Sequence, residues 1–358
     1  MIVIGIDPHK RSHTAAAVGR QTGEIRAHKT VDAREHGHEA LLRWARSLDA
    51  ERLWAVEDCR HVSGGLERFL LARGERVVRV PPRLMGEARK SGREPGKSDS
   101  IDALAVARAA LREPDLPAAC LAGCERDIQL LLDHRDDLVA ERTAMQNRLR
   151  WHLHDLDPEL EIPAGALDRF CWLDRIATRL RRQQPSAQVR IARELVIEIR
   201  RLSRRANELE RELGALVEQE AGALLELRGC ATLTAAKIVA EVAGVHRFAT
   251  EAKLARHAGS APLPVWSGQH QRHRLSRTGN RQLNCALHRI AVNQKRWHPP
   301  AIAYLQRKQA EGKSPREALR CLKRQLVRAV FNALKDSHKQ GQTPQPTSPA
   351  AQLAAVAT

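Results

Sequence analysis

The chain has 358 residues, a formal net charge of +18 and an isoelectric point near 10.4. That length accommodates two or three domains with real cores, and the charge excludes an ordinary near-neutral enzyme while favouring a polyanionic partner, nucleic acid first. Seven cysteines without zinc-type spacing exclude a zinc module and a disulfide framework, and no apolar run reaches membrane-spanning length, so a reduced, soluble cytoplasmic protein is expected.

In chain order, Ile2 to Ile6 is an apolar run that reads as a buried strand ending at Asp7, and the N-terminus carries no basic leader. After the turn-like Pro8-His9-Lys10-Arg11, Thr14 to Val18 and Gly23 to Val31 predict two further strands in an antiparallel meander. Gly37 to Leu48 predicts a helix, with Ala40, Leu41, Trp44 and Ala45 on one face. Leu53 to Val56 is then a strand ending at Glu57, Gly65 to Ala72 a helix, and Arg76 to Val80 a strand closed by two prolines. Three hairpin-like strands followed by alternating helix and strand imply a mixed sheet flanked by helices, the order of ribonuclease-H-like folds. This α/β domain spans 1–115.

Residues 116–222 read as long helix. Leu195, Leu202, Leu209 and Leu216 recur every seven residues, with Ile199, Ala206 and Leu213 between them, a coiled-coil seam. It serves either self-association or an antiparallel hairpin with Leu131 to Leu156, with Pro158, Pro163 and Pro185 breaking the connection. Residues 223–336 read as a compact helical domain in which Arg228-Gly229-Cys230 turns into Thr232 to Val242, and 337–358 as a disordered tail.

Four acids carry the chemistry. Asp7 and Glu57 end strands, and Asp99 and Asp102 share a helix face at i and i+3, behind Ser98 as N-cap. Taken singly, each is a structural or helix-dipole acid. Together, in a strongly basic chain, they read as ligands for Mg²⁺ held against a phosphodiester. A second constellation is the Gly/Pro-rich loop from Ala258 to Gly268, which carries Ser260 and Ser267 ahead of Arg272, His273, Arg274, Arg277 and Arg281. A serine among guanidinium groups suits attack on phosphorus, although most Ser-Gly pairs are turns and the arginines equally suit phosphate contacts. Lys10 and Lys97 flank the acids and read as phosphate contacts or as solvated turn residues.

The segments Ile4-Gly5-Ile6-Asp7-Pro8-His9-Lys10, the Glu57 strand and Lys97-Ser98-Asp99-Ser100-Ile101-Asp102 resemble the DEDD motif of the insertion-sequence one-ten transposases, relatives of the Piv DNA invertase. Arg228-Gly229-Cys230, Phe248 to Ala258, Ser267-Gly268 and Thr278-Gly279-Asn280-Arg281 resemble the second half of that family, in family order. The resemblance implies a RuvC-like N-terminal domain whose Asp7, Glu57, Asp99 and Asp102 hold Mg²⁺, a coiled-coil middle, and a C-terminal transposase domain with Ser267 as nucleophile. It also implies a transient serine–DNA ester, a dimer or tetramer in which the acids of one subunit meet the serine of another, donor and target DNA as substrates, a structured guide RNA, and a nucleoid-associated location. The chain departs from the family at Asp58-Cys59-Arg60-His61, where a small turn is usual, and at Ser260, where leucine is usual. Ser260 is therefore a rival nucleophile; Ser267 is preferred for its family position and its nearness to the basic run. Two further readings are a RuvC-like structure-specific nuclease using metal-activated water, and a non-catalytic nucleic-acid-binding protein.

Overall fold

The apolar run at the N-terminus forms β1, Ile2–Pro8, a strand buried along its whole length. The computed structural model describes residues 1–81, 84–85, 98–113, 116, 118–119, 123–267, 270–274, 276 and 279–342. β1 pairs antiparallel with β2 (Ser12–Gly19), which pairs antiparallel with β3 (Ile25–Asp32). After α1 (Glu35–Leu48), β4 (Arg52–Glu57) returns parallel to β1 on its other side. After α2 (Arg60–Leu71), β5 (Val77–Val80) extends the sheet parallel to β4. The resulting order, β3-β2-β1-β4-β5, is the predicted meander followed by parallel crossovers.

Strand alternation divides the core between two faces. Ile2, Ile4, Ile6, Trp54 and Val56 pack with Leu41, Leu42 and Ala45 of α1 and with Leu66, Phe69 and Leu70 of α2. Val3, Ala16, Val18, Ala55 and Val80 pack on the other face with Ala103, Val106, Ala107 and Ala110 of α3 (Asp99–Arg112). Small residues let that helix lie almost on the sheet. A β-carbon at Gly5 would stand 2.1 Å from the Ala103 carbonyl oxygen and 2.4 Å from the Ala107 nitrogen, so only glycine fits. At the sheet's edge, buried Glu75 accepts hydrogen bonds from Arg52 (2.8 Å) and from the Trp54 indole (2.9 Å), and Glu67 pairs with Arg79.

The described residues fold into two compact units, one within 1–123 and 246–249, the other within 124–245 and 250–342. In the second, α4 (Cys124–Leu156) and α6 (Ala187–Leu225) form an antiparallel hairpin joined through the short α5 (Phe170–Arg181). Pairings that rise along one helix and fall along the other set the direction: Arg135 with Glu210 (3.0 Å), Arg142 with Ser203 (3.4 Å) and Asp155 with Gln188 (2.7 Å). The heptad seam is thus occupied within the chain. Ile199, Leu202, Ala206, Leu209 and Leu213 are buried as predicted, but Val217 replaces Leu216, because a straight helix of 3.6 residues per turn drifts off a seven-residue repeat. Near the N-terminal end α5 is a second neighbour, and Ala192 and Val196 are the buried positions.

Then follow α7 (Thr232–Val242), α8 (Glu251–His257), α9 (Arg281–Trp297), α10 (Pro299–Ala310) and α11 (Pro315–Gln342). The turn before α7 carries Gly229 at φ +86°, packed against the Asn293 side chain, and its Arg228 carbonyl accepts from Gln294 (2.8 Å). The Gly/Pro-rich composition of 258–268 predicts a loop throughout. Instead, Leu263–Ser267 is strand β6, paired antiparallel with β7, His270–Arg274. Val265 and Trp266 suit an extended backbone, and the two-residue connection favours a hairpin. The helical third region therefore contains a small sheet. Among the described residues, no helix is long and apolar enough to cross a membrane.

Candidate active site

Alternation along β1 places Val3, Gly5 and Asp7 on the face that α3 covers. The parallel register aligns Ile6 with Val56, so Asp7 and Glu57 follow as neighbours on adjacent strands, and Glu57 shares the face of Ala55. From above, α3 begins over the same strand ends. Ser98 caps it, its hydroxyl accepting from the Ile101 N–H (3.3 Å) and its carbonyl from the Asp102 N–H (2.9 Å). Because Gly5 lets the helix descend, Asp102 is buried beside buried Asp7, while Asp99 is 59% exposed at the rim.

The electrostatics agree with this convergence. Burial raises the Asp7 pKa above the ordinary carboxylate value; His9 opposes the shift, and the Asp102 and Asp99 charges add to it. At the end of β4, burial raises the Cys59 thiol, and the charges of Glu57, Asp58 and Asp7 raise it further. One region of negative potential therefore spans β1, β4 and α3. Into it reaches His9, from the β1–β2 turn: its Nε2 lies 3.2 Å from Asp7 Oδ2 and 3.4 Å from Asp99 Oδ1. One ligand atom from each of Asp7, His9 and Asp99 lies within 4.8 Å of the other two. Oxygen donors with one imidazole fit a divalent cation, and two buried like charges are costly without one. His9 belongs to the N-terminal sequence motif, yet the motif assigns it no role; a histidine two residues after a strand-ending acid is the signal that points to it.

Of the remaining predicted residues, Lys10 is exposed in the β1–β2 turn, Arg274 is exposed on β7, and Arg281 is exposed at the first position of α9. Lys97 and Arg277 lie outside the described residues, as do the side chains of Ser267 and Arg272. The hairpin register pairs Ser267 with His270, Val265 with Arg272 and Leu263 with Arg274. Directly opposed positions share a face, so positions 263, 265, 267, 270, 272 and 274 lie together. Trp266 is 70% exposed.

The base of this hairpin is pinned by interactions that no local pattern announces. A β-carbon on Gly279 would stand 2.1 Å from the Gly259 nitrogen, and Gly259 itself has φ +64°. The Asn280 N–H donates to the His257 carbonyl (2.7 Å), and Asn284 donates to that of Ala258 (2.6 Å). Buried Lys323 of α11 donates in turn to Asn284. Ser260, the rival nucleophile, has its Oγ buried without a hydrogen-bond partner among the described residues.

The strand order defines a ribonuclease-H-like mixed-sheet domain followed by a mostly helical region. Residues 4–158 match a family model for the DEDD transposases of IS110, described as Transposase, and residues 221–306 match one described as Transposase IS116/IS110/IS902 family. The chain belongs to this family of insertion-sequence transposases. The insertion element IS116 protein of Streptomyces clavuligerus is 27% identical, over 94% of this chain and 95% of its own. The IS900 protein of Mycobacterium paratuberculosis is 23% identical over 93% and 95%, and the IS110 protein of Streptomyces coelicolor 27% identical over 67% and 71%. Among solved structures, T. thermophilus RuvC in complex with a Holliday junction substrate aligns over 33% of this chain and 99% of its own, at 17% identity and a TM-score of 0.27.

Proposed function

We propose that this transposase cuts and rejoins DNA through a divalent-metal site formed by Asp7, Glu57, Asp99 and Asp102, with Ser267 as nucleophile. The observation that carries the reading is the gathering of acids from two neighbouring strand ends and one helix start, in a chain matched by DEDD transposase models. When bound, Mg²⁺ supplies charge stabilisation at the scissile phosphate and the leaving oxygen. Asp7 and Asp102, both buried, fix the inner wall of the site, and exposed Asp99 leaves it open to a polyanion. The Ser267 oxygen bonds to phosphorus, the bond from phosphorus to the 3′-oxygen breaks, and the serine proton ends on the released 3′-hydroxyl. Attack of a 3′-hydroxyl on that ester reseals the strand and restores the serine, so no ATP is consumed.

Arg272, Arg274, Arg277 and Arg281 contact phosphates around the exchanged strands, with Lys10 and Lys97 doing the same near the acids. Exposed Trp266 offers a stacking surface for an unpaired base. Ser260 is the weaker nucleophile because its hydroxyl is enclosed. The resemblance carries the further expectations of a structured guide RNA and a dimer or tetramer working on donor and target DNA in the nucleoid, and the net charge of +18 suits either nucleic acid.

The decisive experiment traps protein–DNA adducts on element-end DNA with Mg²⁺. Wild type yields a denaturant-resistant adduct, and Ser267→Ala yields none. Free 5′-phosphate ends without adduct would instead identify a nuclease using water, and an adduct surviving in Ser267→Ala would remove that serine from the chemistry.

A further inference from the structure

We propose that His9 is a nitrogen ligand of the acidic site and tilts it toward first-row transition ions relative to Mg²⁺. This rests on the reading of Asp7, Glu57, Asp99 and Asp102 as a metal site, and adds to it a donor outside the four acids.

His9 occupies the turn between β1 and β2, and its backbone N–H donates to the Ser12 carbonyl (2.9 Å), closing the turn. Although the imidazole is half exposed, it folds back over the acids. Its Nε2 stands 3.2 Å from Asp7 Oδ2 and 3.4 Å from Asp99 Oδ1. The first distance is that of an ordinary hydrogen bond, which His9 makes to Asp7, and the second is longer. Adjacent ligands of an octahedral ion with bonds near 2.1 Å stand about 3 Å apart, and those of a tetrahedral ion about 3.3 Å apart. Each oxygen therefore stands from the His9 nitrogen at the spacing of neighbouring ligands, the three groups lie within 4.8 Å of one another, and the nitrogen faces oxygens from two different elements.

Ligand chemistry gives the consequence. Mg²⁺ favours oxygen donors and retains its waters, so an imidazole adds little to its binding. Nitrogen donors raise affinity along the first-row series, from Mn²⁺ toward Co²⁺. A site of carboxylates alone separates these ions less than one containing His9.

The test uses the full chain stripped with chelator, titrated with Mn²⁺ followed by its solution EPR signal, with Co²⁺ followed by visible absorbance, and with Mg²⁺ by competition against Mn²⁺. His9→Ala is expected to weaken Mn²⁺ and Co²⁺ by about 10-fold or more, the scale of losing a metal-site group, and Mg²⁺ by less than about 3-fold. Pulsed EPR of Mn²⁺ bound to the wild-type chain should show nitrogen coupling that disappears in His9→Ala. No nitrogen coupling in the wild-type chain overturns the proposal without recourse to any variant. So does tighter Mg²⁺ binding by His9→Ala, which would make the imidazole a placeholder that the ion displaces. Asp7→Asn separates the two readings: it must weaken all three ions. If it binds them normally, the metal site itself is refuted; if it weakens them and His9→Ala does not, only the role of His9 is.

Discussion

At the residue scale, the sheet holds ionisable groups on both faces of the end where the acids gather. Opposite the acids, buried His13 of β2 stacks on His38 of α1, with ring centroids 5.3 Å apart and 18° between planes, and its Nδ1 has no hydrogen-bond partner among the described residues. Burial lowers the His13 pKa to about 4, with the His38 and His9 charges adding to the shift, and burial lowers His38 as well. The folded value lies below the unfolded one, near 6.5, so between them the unfolded chain binds the extra proton. Stability is therefore complete above pH 6.5 and falls as pH drops toward 4, by about 3 kcal/mol in total for His13. Denaturant titrations at pH 7 and pH 4.5 should show a clearly smaller drop in His13→Leu than in the unsubstituted chain. Gly5 and Asp7 are both visible in the sequence. What stays hidden there is that the missing β-carbon of the first is what brings α3 down beside the second.

At the element scale, α4 and α6 settle a choice that periodicity leaves open. A heptad seam states that a face is apolar and not which helix covers it. The covering helix here is α4 of the same chain, because a connection broken by prolines and the short α5 returns the chain antiparallel. Leu209, in the middle of that seam, is fully buried. Leu209→Ala should cost about 2–4 kcal/mol of unfolding free energy, read from the urea midpoint. The shift should be independent of protein concentration, as a seam filled within one chain requires. The β6–β7 hairpin is the element least legible in advance. Gly, Pro and Ser signal a turn, and they outweigh the short extended run Leu263–Ser267 between them.

At the scale of the whole molecule, 60 Lys and Arg against 42 Asp and Glu make binding to nucleic acid an electrostatic event. Affinity for element-end DNA should fall steeply and log-linearly with salt. Arg274→Ala and Arg281→Ala should each lower the slope by about 1, measured by fluorescence anisotropy across a salt series. An unchanged slope would place those side chains away from phosphate. Composition, the apolar strand runs and the acids at their ends were enough to determine a basic, sheet-containing chain with its four carboxylates, since hydrophobic period and strand-ending charge are local properties. The tertiary structure alone decided that His9 turns back onto Asp7 and Asp99, that α6 spends its seam on α4, and that Gly259 meets Gly279 beneath a hairpin. Each of these joins separate turns, helices or strands, and such pairings follow from how the chain closes on itself, which no short-range pattern encodes.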